Sequence, residues 1–310
     1  MEQTDDSIML TIHCLVYNHE PYIRQCLDGF VKQKTNFSFE AIVHDDASTD
    51  HSVDIIREYA QKYPNIIKPV FETENQYSKH NGSIRNILEE NTKGKYVAMC
   101  EGDDYWIDPY KLQKQVDFLE NHPECVYSCH RYLVYNENTK EKYLIPNKYF
   151  DAHPSISEFT FDLSYPFLQE WITKTLTCVY RHDCFDTSIV KKYKYYRDVH
   201  LVYHLLLTGK GVCHSFVGGV YRKNSGSIFG SQTYINQLKI AYTVYSEMYS
   251  VTKNCIFKRI LRSIYLQIFV KEKKISMPLK RFELETLLLY LPYKILKRIF
   301  VGRRYGNGYL

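Results

Sequence analysis

Two short acidic stretches carry the chemistry open to this chain. The first runs His44-Asp45-Asp46-Ala47-Ser48-Thr49-Asp50, the second Glu101-Gly102-Asp103-Asp104-Tyr105-Trp106. Carboxylates set side by side repel one another and raise each other's pKa, so a cation normally balances them. Oxygen-only ligands suit Mg2+ or Mn2+, and Mg2+ is typically held by one or two carboxylates together with substrate phosphates. The pattern therefore predicts a divalent metal and a diphosphate ligand, the metal acting as a Lewis acid on charge that develops at a departing nucleoside diphosphate. Alone, the first stretch reads equally as turn and helix-cap chemistry, since Asp, Ser and Thr favour helix N-termini. The second, with a glycine that permits close approach, shifts that balance.

These stretches must be held by the elements around them, and the chain alternates short apolar runs with helix-period segments. That is the pattern of strands joined by helices in a mainly parallel sheet. Met9 to Val16 reads as the first strand; a helix then opens at Pro21 and carries Tyr22, Ile23, Cys26, Leu27, Phe30 and Val31 at helical spacing. Phe39 to Val43 is the second strand, Ser48 to Asp50 precede a helix bearing Val53, Ile55, Ile56, Tyr59 and Ala60, and Ile66 to Val70 is the third strand. A helix from Gly82-Ser83 to about Asn91 leads into Lys95 to Cys100, apolar enough to be a central strand. Both acidic stretches thus fall at carboxyl-terminal strand edges, where open α/β sheets bind ligands. Pro109 starts a helix with Leu112, Val116 and Leu119 on one face, and Val126 to Val134 is a further strand, whereas residues 136 to 170 show no clear pattern. Val199, Leu201, Val202, Leu205 and Leu206 form a helical stripe closed by Gly209, Gly211 to Val217 returns to strand, and from Gln232 the pattern is helical. The Gly-rich stretch 218–230 marks a boundary between a larger domain, 1–230, and a helical, basic extension, 231–310.

In this order after two strands, the two acidic stretches resemble the paired motifs of family 2 glycosyltransferases, over about Leu10 to Phe229. The resemblance implies the GT-A fold: an α/β, Rossmann-like, mixed but mainly parallel sheet flanked by helices, here with the C-terminal helical extension. It implies an inverting hexosyl- or N-acetylhexosaminyl-transferase acting from a nucleotide-diphosphate sugar, by family habit a UDP-sugar, onto an acceptor hydroxyl. Carried over by position, Leu15 and Tyr17 edge the base pocket, Asp45 and Asp46 lie at the nucleobase, and Arg85 beside Asn86 is the basic residue near the donor. Glu101 and Asp103 take the places of the metal-binding DxD acids, with Mn2+ or Mg2+ as cofactor, and Asp104 lies beside ribose and diphosphate. Asp198, in Tyr196-Arg197-Asp198-Val199-His200, resembles the carboxylate that removes the acceptor proton as the hydroxyl attacks the anomeric carbon. An ordinary N-cap explains the same residue. Val220-Tyr221-Arg222-Lys223-Asn224 resembles the family's Tyr-Arg-x-His segment, with Asn224 at the His position, which gives Arg222 or Lys223 a role on phosphate. Trp171, Thr175 and Thr177, before Arg181, resemble the acceptor-side Thr-rich strand, and buried strand packing accounts for them equally well.

The bulk properties bound these expectations. A chain of 310 residues, 45% hydrophobic and 24% charged, can bury a sizeable core. Its net charge of +5 is uneven: residues 271–310 hold ten Lys or Arg against three Glu, which leaves about −2 on the rest. In that tail Leu291, Ile295, Leu296, Ile299 and Phe300 interleave with Lys294, Lys297, Arg298, Arg303 and Arg304, the make-up of an interfacial helix on an anionic membrane or of a solvated helix packed on the domain. Apolar residues at helical spacing oppose nucleic-acid binding there. No run approaches the roughly 20 apolar residues that span a bilayer. Met1 to Ser7 lacks the marks of a secretory signal, and nine cysteines without a CxxC pair fit a reducing compartment. The expected location is cytoplasmic, peripheral on the inner face of the membrane, which suits a glycan or lipid-linked acceptor in cell-surface polysaccharide assembly. Cys125, Cys129 and His130 lack a fourth zinc ligand and read as buried hydrophobes. Two rivals remain. A sugar nucleotidyltransferase would show a Gly-rich loop where Leu15-Val16-Tyr17-Asn18-His19 has none, and a catalytically inactive sugar-nucleotide or carbohydrate-binding protein would not need the intact acids.

Overall fold

Strand β1 (Leu10–Val16) is buried along its length except at Leu15, the condition of a strand covered by helices on both faces. It is followed by α1 (Ile23–Val31), β2 (Phe39–Asp45), α2 (Ser52–Lys62), β3 (Ile67–Phe71), α3 (Ser83–Asn91) and β4 (Tyr96–Met99). The computed structural model describes residues 7–79, 82–194, 196–224 and 232–272. β1 lies between β2 and β4 and is parallel to both, and β3 is parallel to β2. Their carboxyl ends therefore share one edge, the one from which residues 17–22, 46–51 and 100–104 emerge.

The second half contains β5 (Tyr105–Trp106), α4 (Lys111–Asn121), β6 (Cys125–Asn136), β7 (Lys142–Leu144), α5 (Lys148–Ala152), β8 (Glu158–Phe161), β9 (Val179–Arg181), α6 (Asp198–Leu205) and β10 (Lys210–Lys223). One mixed sheet results, in the order β3-β2-β1-β4-β9-β6-β10-β5, with β7 on β6 and β8 on β10. β9 runs antiparallel to β4 and β6 and turns the parallel half into the mixed half. Ile23, Cys26, Leu27 and Phe30 of α1 and Leu112, Val116 and Leu119 of α4 are buried with the apolar side chains of β1, β2 and β4 in one core. Each such side chain contributes about 1.5–3 kcal/mol relative to exposure.

Three expectations change. The strand read as Gly211 to Val217 runs on through both glycines to Lys223, because they serve close approach and not a break. A Cβ on Gly218 would lie 2.6 Å from His130 Nε2, and one on Gly219 would lie 2.5 Å from Leu176 Cδ1. Second, residues 136–170 hold β7, α5 and β8, too short for sequence periodicity to reveal. Third, Thr175–Thr177 is a 3-10 turn, and the strand beyond it is β9.

The chain divides into two compact units, 1–230 and 231–310. In the second, α7 (Tyr234–Thr252) and α8 (Cys255–Glu272) form a helical hairpin whose turn places Lys253 at φ +56°. Leu238, Tyr242, Leu261, Ile264, Tyr265 and Ile268 make its core, and Lys239 pairs with Glu272 at 2.7 Å across the open end. Among the described residues no helix is long and apolar enough to cross a membrane. The tail segment with Leu291, Ile295, Leu296, Ile299 and Phe300 lies outside the described residues.

Candidate functional site

The end of β1 organises the site by pairing on both sides. The Val16 carbonyl accepts the Asp46 amide at 2.9 Å, and the Leu15 carbonyl accepts the Gly102 amide at 2.9 Å, so the two acidic stretches flank one strand end. Hydrogen bonds tie the loop after β1 to the first stretch. The amides of Asn18, His19 and Glu20 donate to Ser48 Oγ, Ser52 Oγ and Asp50 Oδ2, each at 2.9 Å. Ser48 and Asp50 thus knit two loops together, and Asp50 also acts at the start of α2 as the sequence implies, its Oδ1 accepting the Ser52 amide at 3.0 Å. Asp45 is fully buried and accepts the Ser48 amide at 2.9 Å through Oδ1. Asp46 accepts the amides of Gln76 and Tyr77 at 2.6 and 3.1 Å, which fixes the loop after β3 against the strand end. Tyr17, 47% exposed, stands at the rim, and Leu15 is partly exposed beside it.

On the other side, Glu101, Asp103 and Asp104 each bring a carboxylate oxygen within 4.8 Å of the others. Asp104 is 1% exposed, and its Oδ2 has no hydrogen-bond partner. Burial, then the charges of Asp103 and Glu101, hold its carboxyl well above the ordinary range. Burial, then Asp103 and Asp198, push Glu101 up to about 7. A cluster of oxygens this close, with an orphaned buried oxygen in it, fits a hard divalent ion, which would supply the balancing charge. Gly102 permits the arc, since a Cβ there would lie 2.8 Å from His19 Nδ1.

Arg222 holds this arc from behind. Its amide donates to Asp104 Oδ1 at 2.7 Å, its Nε to the Asp103 carbonyl at 2.8 Å, one terminal nitrogen to Glu137 and the other to Gln25 Oε1 at 2.5 Å. The guanidinium also lies over the rings of Tyr22 and Tyr105, 4.8 and 5.0 Å from their centres. Every guanidinium nitrogen is engaged by a protein partner and the residue is 6% exposed, so Arg222 braces the acids. Asn224 adds a bond from Nδ2 to Asp103 Oδ2 at 3.0 Å.

Arg85 is likewise turned inward, to Glu89 at 2.7 Å, the Tyr180 hydroxyl at 3.0 Å and the face of Phe185 at 4.7 Å. Asp198 begins α6 as its first helical residue, and the cap position falls on Arg197, whose amide is accepted by His200 Nδ1 at 3.0 Å. Asp198 is partly exposed, and its charge acts on Glu101. Thr177 is fully buried, its hydroxyl bonded to the Lys174 carbonyl at 2.8 Å, so it shapes a turn. Thr175 and Trp171 are partly exposed, and the Trp171 ring packs 5.8 Å from Phe167.

Two side chains at the site escaped sequence reasoning. His19 lies between the acidic stretches, and Asp103, Asp50 and Asp45 each partly offset the desolvation that lowers its pKa. Lys174 opposes the raised pKa of both Glu101 and Asp104. Its neighbours, threonines at 173, 175 and 177, gave no sign that the turn aims at acids 70 or more residues earlier.

Comparison with known proteins gives the chain relatives and a family. The chain is 42% identical, over 44% of its length, to an uncharacterized protein of Mycobacterium tuberculosis, of which the match spans only 39%. It is 28% identical over 48% of its length to 53% of an Escherichia coli protein named UDP-Glc:alpha-D-GlcNAc-diphosphoundecaprenol beta-1,3-glucosyltransferase. The chain thus spans well under two thirds of the length of these relatives. Among solved structures, a mannosyltransferase of Pyrobaculum calidifontis, described in complex with GDP-Man and Mn2+, superposes with a TM-score of 0.59 over 95% of this chain and 82% of its own, at 15% identity. That likeness shows the GT-A fold. The profile described as Glycosyl transferase family 2 matches residues 11–187, more than half of the chain, and the chain belongs to that family.

Proposed function

We propose that this family 2 glycosyltransferase moves a hexosyl or N-acetylhexosaminyl group from a nucleotide-diphosphate sugar, a UDP-sugar in the first instance, to an acceptor hydroxyl with inversion. The observation that carries the reading is the placement of Glu101, Asp103 and Asp104 within 4.8 Å of one another on one side of the β1 end, with Asp46 and Tyr17 on the other. In this reading Tyr17, Leu15, Asp45 and Asp46 form the base side. Asp103 and Glu101 hold Mn2+ or Mg2+, and Asp104 with Arg222 keeps them in place. The bound metal would act as a Lewis acid toward the departing diphosphate. Asp198, which shares the field of Glu101 and stays partly exposed, takes the proton of the incoming hydroxyl. The E. coli relative's name, with its diphosphoundecaprenol acceptor, supports a lipid-linked glycan as acceptor and a place on the membrane surface.

Calorimetric titration of UDP, GDP, dTDP and CMP, with and without Mn2+, tests the core of this reading on the wild type and on Asp103→Ala. One nucleotide should bind only with metal, and the substitution should remove that binding. Silence from all four would make the acids structural and end the proposal.

A further inference from the structure

The charge at the acidic site is one-sided in a way the metal alone does not settle. Glu101, Asp103, Asp104 and Asp198 act on one another there, while Arg222 spends its guanidinium on protein partners. Among the described residues one other cation, Lys174, acts on these acids. Lys174 is held on a short turn that is fixed at each end. Its amide and carbonyl both bond Thr177 Oγ1, at 3.2 and 2.8 Å. The Leu176 carbonyl accepts Trp106 Nε1 at 2.8 Å, and Gln115 Nε2 donates to the Thr177 carbonyl at 3.0 Å. The turn is thereby locked to Trp106, two residues past Asp104. From it the Lys174 ammonium sits over the Tyr221 ring, 4.7 Å from its centre, next to the Arg222 backbone that bonds Asp104. Lys174 is partly exposed, and among the described residues its Nζ makes no hydrogen bond or ion pair.

A lysine ammonium has three donors and a compact charge, and a long side chain left unpaired beside an anion site is free to bind phosphate. Resting on the proposed function, we propose that Lys174 is a donor-binding residue whose ammonium pairs with the nucleotide diphosphate, giving the leaving group a second cation besides the metal that Glu101 and Asp103 would hold. The same ammonium repels a metal ion when no nucleotide is present. It therefore couples the two ligands: the empty site resists metal, and the diphosphate, by pairing with Lys174, lifts that resistance.

The two roles move in opposite directions on substitution, which a merely structural lysine would not do. Titrations of Mn2+ alone, of UDP (with GDP and dTDP in parallel) at saturating Mn2+, and of the free nucleoside are compared for wild type, Lys174→Ala and Lys174→Arg. In Lys174→Ala, Mn2+ alone should bind roughly threefold or more tighter, and the diphosphate about tenfold weaker. Nucleoside binding should be unchanged, and Lys174→Arg should restore most of the diphosphate affinity. Unchanged diphosphate affinity in Lys174→Ala would overturn the proposal. So would a joint weakening of metal, diphosphate and nucleoside, which marks a packing role. If wild type binds none of the diphosphates, the proposed function falls and takes this role of Lys174 with it, whereas a defect-free Lys174→Ala protein beside a binding wild type removes only the latter.

Discussion

A carboxylate's use is set by what surrounds it, and the acids here divide on that basis. Asp46 spends both oxygens on backbone amides and braces the loop after β3, whereas Asp104 keeps one buried oxygen without a hydrogen-bond partner among the described residues. Asp198 keeps its partial exposure at the start of α6 and, among the described residues, accepts only its neighbour's amide, Val199, at 2.9 Å. Exchange of Asp198 for Asn should therefore lower kcat by about 10²–10⁴ and leave nucleotide affinity unchanged, since only the proton acceptor is lost. Retained turnover, measured as sugar released or transferred under saturating donor, would exclude it as the base. The acids themselves were legible because they cluster in sequence. Lys174 and His19 were not, because each reaches the site through a fold that joins segments far apart in the chain, and neither residue type stands out locally.

The helices show a conflict that sequence periodicity hides. Lys111 begins α4, is fully buried, and has no hydrogen-bond partner for Nζ; its ammonium lies 4.2 Å from the centre of the Trp106 ring. A ring face is worth up to about 2 kcal/mol to a cation, less than the cost of burying an unpaired charge, and the helix N-terminus adds repulsion. Burial accordingly lowers its pKa from 10.5 to about 7. Unfolded, the amine keeps its proton up to about pH 10.5; folded, only up to about 7. Between these values the unfolded state binds the extra proton, so Lys111 makes stability rise with pH across that window and costs most at and below its lower end. Lys111→Met should stabilise the protein by roughly 2–5 kcal/mol near pH 7, a gain that fades toward pH 10.5. Urea denaturation at pH 7 and pH 10 would show it, and an equal gain at both would assign the effect to packing. Helices and central strands were readable from apolar spacing, whereas β5, β7 and β9, of two or three residues each, carry too few positions to have a period. The glycines of β10 misled for a different reason: in sequence they look like a break, while in the fold the missing Cβ atoms admit His130 and Leu176.

At the scale of the whole chain, each unit has its own core, and the chemistry proposed above lies entirely in the first. That predicts separable behaviour. The full chain should float with liposomes containing anionic lipid, and a chain ending at residue 272 should not, while both bind nucleotide equally. Failure of the full chain to float would end the proposal of a membrane-bound tail. The fold class was legible because the first third of the sequence alternates short apolar runs with helix-period segments, the pattern of parallel strands joined by helices. The mixed half was not, because it is built from pairings, such as β9 between β4 and β6, that depend on residues more than 50 positions apart.

Arg222 bonds Gln25, Asp103, Asp104 and Glu137, so the acidic arc is closed by a residue that lies 118 positions after Asp104 and 197 after Gln25. Contacts of that separation form late, because long loops must close before they yield any bonding. During synthesis the acids emerge long before β10, the strand that carries Arg222. Under the proposed function, donor binding would require the finished fold, and the bound nucleotide would stabilise the whole first unit against unfolding, not one loop of it.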